Sequence, residues 1–432
     1  MSFPSRLERP ATRRGMFSWA LFDWANSPTP TIVITFIFAP YFARGVVGDE
    51  TRGLELWSWG MAVSALIIAL ISPLTGAIAD AAGRRKPWIG AFSAITLVAT
   101  ALLWFAAPQA AWAIPVLLLV VLVNVGFETS MVFYNAMLPD LAPPHRMGRL
   151  SGWAWGLGYG GGLACLILAL AVFIMPETAP FGLDDVEAGG VRVSALLAAA
   201  WLLVFGWPLF VFTPDRPSAR LPLATAVTRG WRRLVETARE LSHHRQIVRF
   251  LLARLLYIDG LNTLFALGGI YAATTFAMDE QDVLIFAICL NVTAGLGAVA
   301  FAWLDDWLGP RKTIVIALTC LMVCGSGILV VDGALWFWIL GTVLGIFIGP
   351  VQSASRSLMA RMASPEMTGE MFGFFALSGK VTSFIGPLLV GTLTALSGNA
   401  RLGMSVIVVL MLAGLLVLLT VKEPQARVAA PE

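Results

Sequence analysis

Ionisable residues are scarce in this chain of 432 residues. Only 13% of positions are Asp, Glu, Lys or Arg, with 3 histidines and 4 cysteines, and the mean hydropathy is +0.80. A soluble domain would be about a quarter charged, so a water-facing globular surface is excluded. Cys165, Cys289, Cys320 and Cys324 all fall inside apolar runs, and no His or acid joins them at ligand spacing. They read as small apolar packing residues, with neither a disulfide framework nor a metal site. Also missing are a Gly-rich phosphate loop, a His-Glu-x-x-His pair and a Gly-x-Ser-x-Gly elbow. The chain is therefore expected to be no enzyme and to need no cofactor. Its net charge of +3 gives no footing for nucleic acid, because topology accounts for the basic residues.

Long apolar runs are what the sequence does have. Twelve can be marked, at about 17–43, 55–79, 87–107, 111–138, 150–175, 192–213, 247–276, 281–304, 313–331, 334–360, 370–396 and 401–421. Each meets the roughly 20 residues that a bilayer crossing needs. The first is too long for a signal-peptide core and lacks a small-residue cleavage site, so it is expected to stay as a helix. With the N-terminus placed in the cytoplasm, the inner segments carry 21 basic residues, running from Arg6 through Arg84, Arg85, Arg220 and Arg311 to Arg427. The outer loops carry 4, namely Arg44, Arg52, Arg192 and Arg401. That asymmetry is the one expected when positive charge stays inside. A multi-pass protein with both termini cytoplasmic follows, and a monomer is expected.

The long connection at 214–246 has two parts. Pro214 to Pro222 reads as a linker. From about Ala224 to His244, the residues Val227, Trp231, Leu234, Ala238 and Leu241 recur at helical spacing opposite Arg232, Arg233, Arg239 and Glu240. This predicts a basic amphipathic helix on the inner membrane surface. His243 and His244 at its end read as solvated residues.

Three matches relate the two halves. Asp23 and Asn26 recur as Asp259 and Asn262 at an offset of 236 residues, both pairs opening a long apolar run. The loop Asp80-Ala-Ala-Gly83-Arg84-Arg85-Lys86 recurs as Asp306-Trp-Leu-Gly309-Pro310-Arg311-Lys312, at 226. Ala142, Pro144, Gly148 and Gly152 recur as Ala363, Pro365, Gly369 and Gly373, at 221. Three matches in one order at nearly one offset imply two six-helix halves, 1–213 and 247–432, about an axis along the membrane normal. Such a fold holds its site near the midplane between the halves.

Gly76-Ala-Ile-Ala-Asp80 followed by Gly83-Arg84-Arg85-Lys86 resembles the signature loop of the major facilitator superfamily, with every fixed position filled. The second copy departs at Ala302 and Pro310. WALFDWANS from Trp19, YNAMLPDLA from Tyr134, GWAWGLGYGGG from Gly152, QSASRSLMAR from Gln352 and GFFALSGKVTSFIGPLLVG from Gly373 resemble the vacuolar (autophagy-related) effluxer family and its bacterial relatives. The similarity covers essentially the whole chain. It implies a twelve-helix carrier cycling between inward-open and outward-open states. Fungal members are regarded as effluxers of amino acids from the vacuole, whereas bacterial members have no secure substrate.

A charge at the bilayer centre costs about 2.5–3.5 kcal/mol on insertion scales, so each buried one asks for a partner or a function. Asp23 and Asn26 share a helix face beside Pro28 and Pro30, which weaken the helix there. Asn124, Glu128 and Asn135 form a polar stripe that reads either as a ladder to a neighbouring helix or as a cavity lining. Tyr134 lies beside them. Gln352 and Arg356 end a stripe of glycines, and Arg356 reads as site or as snorkelling anchor. Lys380 is too deep to snorkel easily and calls for an acid or an anionic substrate group. Arg254 and Asp259, with Asn262 beyond, are about 140° apart around one helix at 3.6 residues per turn, so they should face different neighbours. Asp23, Glu128 and Asp259 are candidates for a proton that moves with the transport cycle, unless sodium replaces it. Gly76, Asp80, Gly83, Arg84 and Arg85, with Asp306, Gly309 and Arg311 in the second copy, are expected to latch the halves on the cytoplasmic side. Together these residues predict a secondary carrier of a small polar or zwitterionic solute, an amino acid being favoured. The alternatives are a carrier of a lipid, sugar or other amphiphile, and a sensor or assembly protein that kept the fold without transport.

Overall fold

The structure is a computed structural model that describes residues 7, 9–176, 182–183, 187–219, 221–239 and 244–423. Arg6, Arg220, Glu240, Leu241, His243, Arg427 and the side chain of Ala238 lie outside the described residues. Among the described residues, twelve helices are long and apolar enough to cross a membrane. In order they are helix 1 (Arg13–Val47), helix 2 (Glu50–Ala82), helix 3 (Lys86–Phe105), helix 4 (Ala110–Leu141), helix 5 (Pro144–Ile174) and helix 6 (Gly189–Phe212). Helix 7 (Arg245–Phe276), helix 8 (Gln281–Leu308), helix 9 (Pro310–Val330), helix 10 (Ala334–Met362), helix 11 (Thr368–Ser397) and helix 12 (Ala400–Leu419) complete the set. Every expected apolar run lies on its own helix. The largest difference in starts is at helix 5, which begins at Pro144, ahead of the apolar residues, because Met147–Ala169 is already helical. Polar caps set several starts: Thr12 accepts from Gly15 N, Asp49 from Arg52 N, and Asp279 from Asp282 N.

Helix 1 is regular only from Arg13 to Asn26. Pro28 lacks the N–H that would reach the Trp24 carbonyl, and the Trp201 indole of helix 6 supplies one at 3.2 Å. Beyond it the backbone widens to π-helix over Thr29–Phe36 and Phe42–Val47. A polar donor from a neighbour is what a proline in a membrane helix needs. Helix 5 comes close enough to brace this segment because of its glycines. A methyl on Gly161 would run into the Trp24 carbonyl, and one on Gly158 would crowd Ser27 and Asp23. The glycine run at 158–162 is thus a packing surface.

Helix 11 is broken. Thr368–Lys380 and Ile385–Ser397 are helical, and 381–384 turn between them. Pro387 can neither donate to Ser383 nor tolerate its carbonyl at helical distance, and the Ser383 hydroxyl bonds the Lys380 carbonyl instead, at 3.0 Å. Lys380 therefore stands at a helix end inside the membrane.

Helices 1–6 and 7–12 make two six-helix bundles. They meet along two seams, helix 2 against helix 11 and helix 5 against helix 8. The linker helix (Leu223–Arg239) lies beside helix 2 at the end carrying the arginine-rich loops, called the basic end below. Ala226, Gly230 and Thr237 are its buried side, while Val227 and Trp231 are exposed. It therefore docks on the protein through small residues as well as presenting the expected apolar face.

Candidate functional site

Arg356 of helix 10 is fully buried and reaches across the seam into the first half. Its Nη1 lies 3.0 Å from Asp23 Oδ2 of helix 1 and 3.2 Å from Asn135 Oδ1 of helix 4. Its Nε donates to the Ser151 hydroxyl at 2.9 Å and its Nη2 to the Ser151 carbonyl at 2.6 Å. The rings of Trp19, Tyr134 and Trp155 stand 5.1–5.7 Å from the guanidinium, within cation–π range. Tyr134 stacks on Trp19 with centroids 4.4 Å apart. Arg356 thus joins the two halves rather than snorkelling. One residue-turn earlier, Gln352 Oε1 accepts from Tyr159 of helix 5 at 2.7 Å.

The second cross-half pair is Glu128 of helix 4 with Lys380 of helix 11, at 2.6 Å, their side chains 22% and 26% exposed. Arg254 of helix 7 serves the same segment of helix 11, donating to the Phe375 carbonyl and the Ser378 hydroxyl at 2.5 and 2.7 Å. Asn262 donates to the Gly379 carbonyl at 3.2 Å. Asp259 faces the break itself. A side chain on Gly386 would run into Thr263 and sit against the Asp259 carbonyl, and Asp259 Oδ1 is buried without a hydrogen-bond partner among the described residues. Arg254 and Asp259 do face different places. Asn124 bonds Ser64 of helix 2 at 2.7 Å and Asn26 bonds Met131 Sδ at 3.2 Å, both inside the first half. The stripe Asn124, Glu128, Asn135 consequently divides among three neighbours.

The two loop copies fasten the seams in the same way. Asp80 accepts from the backbone N–H groups of Gly369 and Glu370 at 3.0 and 2.9 Å, capping helix 11. Asp306 accepts from those of Gly148 and Arg149 at 2.8 and 3.3 Å, capping helix 5, and also binds Arg149 Nε at 2.7 Å. A methyl on Gly76 would strike the Gly369 carbonyl, which is why this seam needs glycine. Ala302, at the matching place, lies against Gly152. Arg85 is buried and bridges Asp140 at 2.5 Å, Asp80 at 3.9 Å and the Ala136 carbonyl. Burial lowers the pKa of its guanidinium, and Asp140 leads the carboxylates that oppose that shift. Gly83 and Gly309 turn the chain at φ 90° and 92°. Arg84 is an exposed residue of the first loop. One member of the expected latch stands elsewhere. Arg311 turns away, its N–H bonding Glu423 and its side chain bonding the Leu418 and Leu419 carbonyls at the end of helix 12. Pro310 fixes that departure by opening helix 9 at once.

Sequence reasoning passed over several partners. Asp140 binds Arg216 at 2.7 and 2.8 Å, and Arg361 binds Asp305 at 2.9 Å and Asp306 at 3.5 Å. Asp140 and Arg361 occupy matching positions at the 221 offset with opposite charge, a signal that was available. Ser151 and the Tyr257–Ser355 contact at 2.7 Å left none.

On the far side of this network from the basic end lies a cavity of about 370 Å³. Thr31, Thr35, Tyr159 and Asn291 give it polar groups, and Phe265, Phe286 and others give it an apolar wall. None of the twelve substrate or coupling candidates lines it. The expectation was a site near the midplane between the halves, and in this conformation the charged residues close the seam beneath the cavity. The cause is pairing: Asp23 with Arg356 and Glu128 with Lys380 meet across facing helices, and Arg254 bonds helix 11.

The family model described as "Vacuole effluxer Atg22 like" matches residues 58–431. The chain belongs to the Atg22-like family. A Bacillus subtilis protein described as the uncharacterized MFS-type transporter YxiO is 28% identical over 94% of both chains. Autophagy-related protein 22 of Coccidioides immitis is 20% identical over 89% of this chain and 75% of its own. Among solved structures, the major facilitator superfamily transporter FucP in its outward conformation superposes with a TM-score of 0.74 at 14% identity, over 95% of this chain and 99% of that one. The human organic anion transporter MFSD10 gives 0.69 at 18%, over 95% and 100%. This Atg22-like chain therefore has the major facilitator fold and is an MFS-type membrane transporter.

Proposed function

We propose that this Atg22-like protein is a secondary active carrier of a small zwitterionic solute, an amino acid with an apolar side chain being favoured, working by alternating access. The observation that carries the reading is that both deep ion pairs, Asp23–Arg356 and Glu128–Lys380, have one member in each half. Rocking of the halves must make and break them. A protein that had given up transport would have no need to place its costliest charges across the moving seam. The partly exposed Glu128–Lys380 pair offers an acid and a cation, the two groups that a zwitterion exchanges for its own. Asp259, with a buried oxygen unpaired, is the favoured position for a coupling proton or sodium ion. The basic end is cytoplasmic by the distribution of Lys and Arg, which makes the conformation outward-facing with both termini inside a bacterial cytoplasmic membrane. Asp80 and Asp306 are the latch that holds it so.

The apolar cavity wall favours a second reading, an amphiphile carrier. A thermal-shift screen of the detergent-purified protein against amino acids, short peptides, sugars, nucleosides and lyso-lipids, at pH 5.5 and 7.5, separates the two. A ligand that binds the folded state raises the melting temperature by mass action. An amino-acid response lost in Lys380→Ala supports the first reading, and a lyso-lipid response that ignores Lys380→Ala replaces it.

A further inference from the structure

A second cavity, about 570 Å³, lies at the basic end and shares no lining residue with the first. Its walls come from four elements: the linker helix, the end of helix 2, the approach to helix 7 and the start of helix 11. Arg229, Arg232, Arg233 and His244 line it, together with Asp80 and Glu236. Arg233 has an occupation, since its Nε lies 3.8 Å from the fully buried Glu370 carboxylate. Arg229 and Arg232 have no hydrogen bond or ion pair among the described residues. Asp80 has both oxygens engaged by helix 11, so its charge is already answered.

The helical positions decide what kind of anion fits. At 100° per residue, 229, 232, 233 and 236 cluster on one face, while the exposed Val227 and Trp231 lie nearly opposite. If Val227 and Trp231 meet the bilayer, the arginines face the aqueous side. A lipid headgroup would have to come from the wrong direction. Guanidinium forks match phosphate oxygens bidentately, the volume is that of a small-molecule site, and Glu236, with no partner among the described residues, can accept from a hydroxyl or amine.

We propose that this cavity is a regulatory site for a soluble phosphate-bearing metabolite. Because its walls belong to both halves and to the linker helix, an occupant ties them together and favours the conformation closed at the basic end. The proposal is independent of which solute the carrier moves.

The test is calorimetry on the full-length detergent-purified protein with magnesium-free ADP and with inorganic pyrophosphate. Saturable binding is expected, weakened about tenfold to a hundredfold in Arg229→Ala/Arg232→Ala, as loss of charged hydrogen bonds implies. Spin labels placed on the two halves at the basic end should report a larger closed fraction with ligand. The single variants Arg229→Gln and Arg232→Gln, checked for an unchanged melting temperature, cover the case in which the double variant misfolds. Absence of binding by either probe, or equal binding by the folded variants, overturns the proposal. So does an arginine-dependent effect seen only in phosphatidylglycerol nanodiscs, which would make the site a lipid one.

Discussion

Asp23 and Asp259 open the two halves at matching positions, yet they live differently. Asp23 is held by Arg356 from the opposite half, with Asn135 sharing the same guanidinium. Asp259 sits at the break in helix 11 with one oxygen unanswered. The duplicated backbone set up two equivalent acids, and a single arginine made them unequal. One became a bond between halves. The other was left available. A symmetric scaffold can thus divide holding and coupling between two copies of one residue.

The inequality predicts a wide spread of mutational effects. Arg356→Ala strands a buried carboxylate, a change worth about 3–5 kcal/mol, and should lower the melting temperature sharply, whereas Asp259→Asn should leave it nearly unmoved. Equal losses would erase the distinction. In proteoliposomes Asp259→Asn should abolish dependence on an imposed proton or sodium gradient while exchange of substrate down its own gradient survives. If it stays gradient-driven, Asp259 has no coupling role. The loop carboxylates form the symmetric control. Asp80→Asn and Asp306→Asn each weaken charge-assisted bonds of about 1.5–3 kcal/mol, so spin-label distances should show similar gains in the population open at the basic end. A large gain from one alone would extend the asymmetry to the latches. Smallest of all, Arg311→Ala should leave that population where it is, because its side chain serves helix 12.

The fold was legible because a bilayer imposes a length and a polarity on every crossing, and twelve runs met both. The repeat was legible through Asp80/Asp306 and Gly148/Gly369, residues that touch backbone and so admit few replacements. Lys380 and Glu128 could be singled out by depth, but their pairing could not, since it depends on which helix faces which. The cavity residues Phe265 and Asn291 resemble any other membrane-helix residues, and only the folded arrangement distinguishes them. Arg311 misled by position. It kept its place in the motif while Pro310 redirected its chain.

Both latches share a trait with consequences for heredity. Asp80 and Asp306 grip main-chain N–H groups, and every residue but proline supplies one. For these main-chain bonds the receiving partner is therefore specified by no codon in particular. Lineages can drift at 370 without loosening the main-chain grip of Asp80, whereas Arg149 and Arg361 add side-chain bonds to Asp306 that a substitution would remove. The acids, the glycines at 76, 148 and 369 that let the chains approach, and on one side Arg149 and Arg361 would show the fastening in a record of substitutions.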